Sequence, residues 1–141
     1  ATGVNDVVVT RSSSSNALLG VATSYAGCLQ SGVPDSDNTG GAGSGSSLTI
    51  ATTTTVVNCW LTGIFRNEVA VNSAGSNTTM RNSSSVSMGD TNAPMATAGS
   101  HSIGVTWSGS GRNVGVVASF APAPAAVTTV VRNLMTLGVG I

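Results

Sequence analysis

The sequence predicts an all-β protein, an antiparallel β-sandwich of jelly-roll or immunoglobulin-like type with about eight strands. Short apolar runs recur at roughly ten-residue spacing, and turn-forming residues separate them. Serine, threonine and the 18 glycines are abundant, and these residues weaken helices. No stretch repeats its apolar residues with the period of a helix, so we expect strands and turns throughout.

The clearest predicted element is a hairpin over Gly99–Pro124. Ile103, Val105 and Trp107 alternate with serine, glycine and threonine, and the alternation resumes over Val114–Phe120 after the turn sequence SGSGRN. Two alternating runs joined by a glycine-rich link are typical of a β-hairpin. Because one face is apolar and the other is polar, we expect this hairpin to lie on the core with its polar face in water.

The strands of the first half follow from the same signals. Val7–Thr10 and Ala17–Tyr25 are predicted to pair as a first hairpin. Gly27–Ser47 is rich in glycine, serine and aspartate, which favours a long surface loop. Leu48–Thr55 is β-branched and is predicted to be a strand. Val56–Phe65 is the most hydrophobic run and is predicted to be a central strand.

A meander is predicted after the central strand. Val69–Val71 and Thr78–Arg81 flank the turn-rich stretch Asn72–Asn77 as a second hairpin. Ser85–Met88 continues the meander as a further strand, and the sequence GDTNAP over Gly89–Pro94 is predicted to be a loop.

The chain is predicted to have one domain and a distinct tail. Residues 1–121 form the β-sandwich domain, 122–126 a linker of proline and alanine, and 127–141 a hydrophobic C-terminal extension. An apolar extension has to be covered, by closing the sheet of its own chain, by adding a strand to the sheet edge of another copy, or as a short helix. The residues that would make this contact are Val127, Val130, Val131, Leu134, Met135, Leu137, Val139 and Ile141.

Charge excludes two classes of partner. Charged residues make up 7 % of the chain and the formal net charge is zero, so nucleic acid and anionic membrane surfaces are not expected partners. No apolar run is long enough to span a bilayer, and no signal peptide is recognised at Ala1, so the chain is expected to be mature or processed. A surface solubilised by hydroxyls and amides is typical of extracellular, cell-surface or virion-surface proteins.

The two cysteines, Cys28 and Cys59, are not spaced as metal ligands. They are predicted to be either two buried thiols or one disulfide formed in an oxidising compartment. The sequence DSDNTG over Asp35–Gly40 resembles the start of a calcium loop, but Ser46 stands where the bidentate acid is needed. We therefore expect an Asx-rich turn after Pro34 and no metal.

No catalytic constellation is predicted. His101 is flanked by Ser100 and Ser102, whose side chains point to the opposite face of a strand, and no G-x-S-x-G sequence occurs. Sequence spacing does not pair the carboxylates, which are Asp6, Asp35, Asp37, Glu68 and Asp90. Asp90 and Asn92 are predicted to be turn-formers. The protein is therefore expected not to be an enzyme and to need no cofactor.

Two further groups of residues suggest contacts with sugars. Tyr25, Trp60 and Trp107 would form a sugar-stacking surface if they were exposed on one sheet face, and otherwise they would pack in the core. Asn77 and Asn82 begin N-x-S/T sequons, which are N-glycosylation acceptors in secreted proteins.

A resemblance covers about 100 residues, from Tyr25 to Pro122. It is carried by SYAGCLQSGVPDSDNTG, NCWLTGIFRN, GSNTTMRN, MGDTNAPM, AGSHSIGVTW and NVGVVASFAPA. In these stretches the chain resembles a loosely defined family of β-sandwich proteins from uncultured phages and from the surface or secreted proteins of environmental bacteria. The resemblance implies a sandwich but no catalytic or binding residues. Family members have further strands before the segment matching Asn5–Thr10, so it also implies an open sheet edge.

Two functions are therefore predicted from the sequence. The first is a non-enzymatic structural subunit that self-assembles into an extracellular filament or a virion surface structure, through edge pairing and the tail, with copies of itself as partners. The alternative is an extracellular carbohydrate-binding or adhesion module with surface glycans as partners. It would use exposed aromatic residues on one sheet face or the predicted Gly27–Ser47 loop.

Overall fold

The computed structural model describes residues 8, 10, 20–29, 31, 32, 34–68 and 72–125, in which there are six β-strands and no helix. The strands are β1 (Ser36–Thr54), β2 (Trp60–Asn67), β3 (Asn72–Ala74), β4 (Thr79–Asn82), β5 (Val86–Asp90) and β6 (Gly99–Phe120). They form one antiparallel sheet with the order β1-β6-β2-β5-β4, and β3 pairs with β6. The predicted all-β class is confirmed, whereas a sandwich of about eight strands is not.

β1 and β6 pair along nearly their whole lengths as one long ribbon. The register runs from Ser36 opposite Ser119 to Thr54 opposite Gly99, and it shifts on either side of Gly45. Register shifts of this kind bend a ribbon and increase its twist. The irregular stretch therefore divides the ribbon into two halves.

The two halves of the ribbon lie against each other. Thr52 Oγ1 donates a hydrogen bond to Ser36 Oγ at 2.8 Å, and Asn38 Nδ2 donates one to the Ala51 carbonyl at 2.7 Å. Both bonds join residues from opposite halves of β1. The ribbon has therefore folded back on itself, and each half presents one face to the other.

The hydrophobic core fills the space between the two halves. It consists of Ile50, Leu61, Phe65, Ile103, Val105, Trp107 and Val117. These residues come from β1, β2 and both halves of β6, at alternating positions of each strand, as expected where one sheet face is buried. Phe65 is fully buried, and its ring lies so close to Gly63 and Gly115 that a Cβ at either glycine would meet it at 2.8 Å. The absence of side chains at Gly63 and Gly115 thus leaves space for the Phe65 ring.

The predicted hairpin over Gly99–Pro124 is wrong. Residues 99–120 form the single strand β6, and the expected turn SGSGRN lies inside that strand. Its two apolar runs both pair with β1 rather than with each other. Glycine and serine tolerate extended backbone as well as turns. This stretch is extended because it pairs with the part of β1 that is also rich in glycine and serine.

The predicted loop over Gly27–Ser47 is wrong from Ser36 onward, because β1 begins there. The predicted strand Leu48–Thr55 is confirmed as the second half of β1, which ends at Thr54. The predicted central strand is confirmed in position, since β2 lies between β6 and β5. It begins only at Trp60, however, because residues 56–59 turn, with Asn58 at a φ of 62°.

The first predicted hairpin is not formed where the structure describes its residues. Residues 20–25 are not a strand, and of Val7–Thr10 only residues 8 and 10 are described, neither in a strand. The strand predicted over Val69–Val71 lies outside the described residues.

Two meander strands are confirmed. β4 and β5 occupy the positions predicted for Thr78–Arg81 and Ser85–Met88, with β5 continuing to Asp90. The first part of the stretch predicted as a turn, Asn72–Ala74, is instead β3, which pairs with the first half of β6. Because β5 continues to Asp90, the loop predicted to begin at Gly89 starts two residues later.

The predicted tail, residues 127–141 with all eight of its apolar contact residues, lies outside the described residues. Of the predicted linker, Pro122–Ala125 are described, and all four residues are exposed. No helix able to cross a membrane occurs in the part of the chain that the structure describes.

Candidate functional site

The sheet has an outer face on the side of β2 and β6 that points away from the core. Four cross-strand pairs form it, and in order along β2 they are Trp60–Phe120, Thr62–Ala118, Ile64–Val116 and Arg66–Val114. Ile64, Val116 and Val114 are 36 %, 40 % and 53 % exposed. The outer face is therefore an apolar surface whose lower end, toward Val114, is open.

The N-terminal segment, residues 20–29, crosses the upper end of the outer face. Two hydrogen bonds fasten it beside the end of β6: Leu29 N–H donates to the Ala121 carbonyl at 2.9 Å, and Ala123 N–H donates to the Gly27 carbonyl at 2.7 Å. This short antiparallel pairing fixes the position at which the segment reaches the sheet.

Tyr25 holds this segment against the sheet. Its ring centroid lies 5.8 Å from that of Trp60 and 6.0 Å from that of Phe120, within the range of aromatic contacts. Its hydroxyl donates a hydrogen bond to Asp90 Oδ2 at 3.0 Å. Burial, together with the nearby Asp90, raises the pKa of Tyr25, so the hydroxyl stays protonated and remains a donor.

Asp90, at the end of β5, is the acceptor for several donors. Its side chain is 2 % exposed, and Arg81 binds it through two hydrogen bonds of 2.7 Å. The Asn92 N–H donates to Oδ1 at 2.8 Å. Burial alone would raise the pKa of Asp90, but the bonds from Arg81, Asn92 and Tyr25 outweigh it and hold this pKa below its usual range. The paired carboxylate therefore positions Tyr25.

Two apolar grooves lie on the outer face. The upper groove has a volume of about 310 Å³ and lies between the N-terminal segment and the sheet. It is lined by Val21, Ala22, Thr23, Thr62, Gly63, Ile64, Met88, Val116, Ala118 and Phe120. The lower groove, of about 340 Å³, is lined by Thr39, Ile64, Phe65, Arg66, Val86, Val114, Gly115 and Val116. Ile64 and Val116 line both, so the two grooves adjoin at this pair.

A second polar cluster surrounds Asp35, just before β1. The carboxylate accepts hydrogen bonds from the Thr55 N–H at 2.9 Å, from the Thr55 hydroxyl, from Ser119 Oγ at 3.2 Å and from Cys59 Sγ at 3.6 Å. Burial opposes ionisation, but these bonds together keep the pKa of Asp35 below its usual value. Asp35 thus joins the ends of β1 and β6 to the start of β2.

The Asp35 cluster also keeps the Cys59 thiol protonated. Burial, and then the charge of Asp35, raise the pKa of the Cys59 thiol. A buried thiol that resists ionisation is a poor nucleophile and a poor metal ligand. Cys28 is buried as well, and no disulfide bond joins it to Cys59 in the structure. The predicted alternative of a disulfide in an oxidising compartment stays a prediction.

The DSDNTG sequence does not form the predicted Asx-rich turn. Ser36–Gly40 are the first residues of β1, and Asp37 lies opposite Ala118 of β6. Over the residues that the structure describes, no group of three or more histidine, cysteine, aspartate or glutamate side chains could hold a metal ion. Pairing with β6 extends the backbone over Ser36–Gly40, so this stretch does not curve as a calcium loop does.

Of the candidate carboxylates, Asp37 and Asp90 are kept apart. Asp90, Thr62, Ala118 and Asp37 stand in one row across four strands, so the two carboxylates are about three strand spacings, roughly 14 Å, apart. Glu68 lies beside Arg112 at 3.9 Å, with both side chains largely exposed. Asp6 lies outside the described residues.

The remaining predicted residues lie in separate places. His101 Nε2 is 2.8 Å from the Thr97 carbonyl. Trp107 is in the core, so the predicted sugar-stacking surface does not include it, whereas Tyr25 and Trp60 do meet on the outer face. The sequon residues Asn77, in the turn before β4, and Asn82, on β4, are both exposed.

Sequence reasoning missed Arg81 as the partner of Asp90. The two residues lie on the neighbouring strands β4 and β5, where opposite charges commonly pair across strands. The bulge between Met80 and Asn82 hides this pairing, because it shifts the register that sequence spacing would suggest. Comparison with protein-family models, curated proteins and solved structures found no match to this chain.

Proposed function

We propose that this chain is a non-enzymatic structural subunit that self-assembles into an extracellular filament or a virion surface structure. Neighbouring subunits are linked by β-strand edge pairing and by the C-terminal segment Val127–Ile141. The two halves of the bent β1–β6 ribbon then act as the two layers of a β-sandwich. The observation that supports this most is the edge strand β1.

β1 lies at one end of the strand order, and no other described strand pairs with it on the side away from β6. It is 19 residues long, carries Asp37 as its only charged residue and has no proline. Monomeric β-proteins protect their edges with short strands, lysines, prolines or a covering element. β1 has bulges near its middle but none of those sequence devices. Apart from the Ala51 carbonyl, which accepts a hydrogen bond from Asn38, it therefore offers runs of backbone for a further strand.

The C-terminal segment fits the role of that further strand. Val127–Ile141 is rich in valine and leucine, and Arg132 is its only charged residue. Such segments pair readily with an exposed sheet edge, where main-chain hydrogen bonds give most of the affinity. The segment follows Pro122 and Pro124, whose rings restrict the backbone and disfavour a helix at this point.

Truncation tests the proposal. Removing residues 127–141 is expected to abolish assembly and to leave a β-rich domain of monomeric size. The measurement is negative-stain microscopy together with sedimentation velocity, and circular dichroism reports whether the domain is folded. Normal assembly of the folded truncated chain would contradict the proposed role of the tail, and a full-length chain that stays monomeric at all concentrations would contradict self-assembly.

A substitution in the full-length chain tests the edge. Thr53 is exposed on β1, and Thr53→Lys places a charge on the unpaired edge, which is expected to raise the critical concentration for assembly at least tenfold, a change of about 1.4 kcal/mol. Thr106→Lys is the matched control, because Thr106 is also exposed but its strand has β1 on one side and β3 on the other. Equal effects of the two lysines would argue against pairing at β1.

A second candidate function is glycan binding on the outer face. It is favoured by the contact of Tyr25 with Trp60 and Phe120, three half-buried rings next to Arg81 and Asn92. Rings of this kind stack on sugars when one face is accessible. A glycan array with the wild type and Trp60→Ala tests it, and saturable binding that Trp60→Ala removes without unfolding would support this function over assembly.

A further inference from the structure

The edge strand β1 has two halves that differ in sequence. The first half, residues 36–42, carries an aspartate and two glycines, and glycine weakens a strand. The second half, residues 47–54, has no charged residue and no glycine, and most of its residues are β-branched, which favours a strand. Register shifts on either side of Gly45 separate the halves. The second half is therefore the better strand for pairing with another chain.

The hydrogen bonds of β6 show which backbone groups of the second half point toward β6. Both backbone groups of Gly104 face the β3 side, because its carbonyl accepts the Gly75 N–H at 2.9 Å and its N–H donates to Thr78 Oγ1 at 2.8 Å. In an antiparallel sheet, successive residues bond to opposite sides. Ile103 therefore bonds to β1, where Ile50 lies opposite it.

The residues on either side of Ile50, and every second residue from there, point their backbone groups away from β6. These outward residues are Ser47, Thr49, Ala51 and Thr53, and all four are exposed. Two bonds agree with this assignment. The Ala51 carbonyl accepts a bond from Asn38 Nδ2 at 2.7 Å, from outside the β1–β6 pairing. The Thr55 N–H, next in the alternation, donates to Asp35 at 2.9 Å. No other described strand pairs with this edge.

The outward edge of the second half is complementary to itself. Turned about a two-fold axis, the same strand offers a carbonyl for each N–H and an N–H for each carbonyl. An axis at Ile50, the middle of the outward stretch 47–53, places Ser47 opposite Thr53 of the second copy. The same axis places Thr49 opposite Ala51 of the second copy. The whole outward stretch then takes part in the pairing.

The side chains along this edge are compatible with such a pairing. Serine faces threonine and threonine faces alanine, so no like charges meet, and hydroxyl pairs across strands are favourable. The first half would instead bring Asp37 into the contact. The Ala51 carbonyl is bound by Asn38, but a carbonyl oxygen has two lone pairs and accepts a second bond.

We propose that the second half of β1 pairs antiparallel with the second half of β1 in another copy, about a two-fold axis at Ile50. This contact rests on the proposed function, self-assembly, and identifies the strands that join two subunits. The sheet then continues from one copy into the next in the order β6-β1-β1-β6. The first half of β1 remains as the edge for the C-terminal segment of a further copy.

Cysteines at two outward positions test the pairing and its register. Thr49→Cys and Ala51→Cys chains are prepared separately and mixed, so a disulfide between them joins two copies. Opposite residues that exchange bonds have Cα atoms about 5.5 Å apart, within reach of a disulfide. The mixture is expected to form covalent dimers at least tenfold faster than either variant alone, whose cysteines lie on a diagonal of about 7–8 Å. The wild type is oxidised in parallel to measure the contribution of Cys28 and Cys59, both buried.

Asp37→Cys and Thr39→Cys are the matched control, because both residues are exposed and lie two residues apart on the first half. Their mixture is expected to cross-link no faster than either variant alone. An equal gain in the control would overturn the proposed pairing, and so would the absence of a gain for Thr49→Cys with Ala51→Cys. A faster disulfide between Thr49→Cys and Val131→Cys would also overturn it, because the C-terminal segment would then hold this edge.

A substitution without cross-linking separates the two halves. Thr49→Lys is expected to raise the dissociation constant of the full-length dimer at least tenfold in sedimentation velocity, whereas Thr39→Lys is expected to leave it unchanged. Equal effects would overturn the pairing at the second half. If particles still form while the cysteine mixture shows no gain, self-assembly stands and this contact does not. A wild-type chain that stays monomeric at all concentrations would overturn both.

Discussion

Asp90 and Asp35 are two carboxylates with lowered pKa values, but their surroundings stabilise the charge in different ways. Asp90 is almost fully buried and is paired with the guanidinium of Arg81. Asp35 has no cation among its described partners and is bound by a backbone N–H, two hydroxyls and a thiol. A full positive charge offsets deep burial, whereas neutral donors suffice for a shallower site.

Removing the cation has the largest expected effect. Arg81→Ala leaves Asp90 buried without its charged partner and is expected to lower the free energy of unfolding by about 2 kcal/mol, less than for a fully buried pair because Arg81 is 41 % exposed. Urea denaturation at pH 7 measures it. The control is Arg66→Ala, since Arg66 is exposed on the outer face, and an equal loss in both variants would refute a specific role for the pair.

Acid titration tests the contribution of both carboxylates, Asp90 and Asp35, to stability. Both pKa values are lowered on folding, so their contributions are complete above the unfolded-state pKa of about 3.8 and are lost as the pH falls below it toward the folded-state values. Stability should therefore fall with decreasing pH below about pH 4. Asp90→Asn and Asp35→Asn should each make this fall shallower in urea titrations. A variant with the wild-type slope would show that its carboxylate does not contribute.

Tyr25→Phe keeps the ring contacts and removes the hydrogen bond to Asp90. The expected loss is about 1 kcal/mol, below what is usual for a hydrogen bond to a charged acceptor, because Asp90 keeps Arg81 and Asn92 as donors. Thermal unfolding measures the loss, and Tyr25→Ala is the comparison that also removes the contacts with Trp60 and Phe120. If Tyr25→Phe were as unstable as Tyr25→Ala, the hydroxyl and not the ring would hold the segment.

The exposed ion pair of Glu68 and Arg112 has the smallest expected effect on stability. Glu68→Gln weakens the contact between Glu68 Oε1 and Arg112 Nε, which are 3.9 Å apart on side chains that are 48 % and 76 % exposed. Because water screens such pairs, no measurable change in melting temperature is expected, with or without added salt. A clear loss here would mean that burial is not what distinguishes Asp90.

Local signals in the sequence predicted some strands correctly. β2, β4 and β5 contain enough alternating or β-branched residues to be recognised. Each of them also pairs with a strand that is nearby in the sequence, β2 with β5 and β4 with β5. The first half of β1 was not predicted, because Gly40–Ser47 has the composition of a loop. Its extended conformation depends on β6, which is distant in the sequence, as in the pair Gly40–Gly115, and no local signal carries that information.

The site was predicted in part. Tyr25 and Trp60 were named as candidate stacking residues and do meet, whereas Trp107 faces the core. Which face an aromatic side chain takes depends on strand register, and a shift of one residue reverses it. The predicted assembly residues of the tail lie outside the described residues and stay predictions.

The β1–β6 ribbon has a consequence for the order of events in folding. Ser36 bonds to Ser119 across a sequence separation of 83 residues, so the ribbon cannot close until almost the whole domain has left the ribosome. Contacts this distant in sequence slow folding, because the chain loses entropy before the pairing compensates for it. During that interval both strands are unpaired, and the nascent chain is most exposed to pairing with another copy before it reaches its own fold.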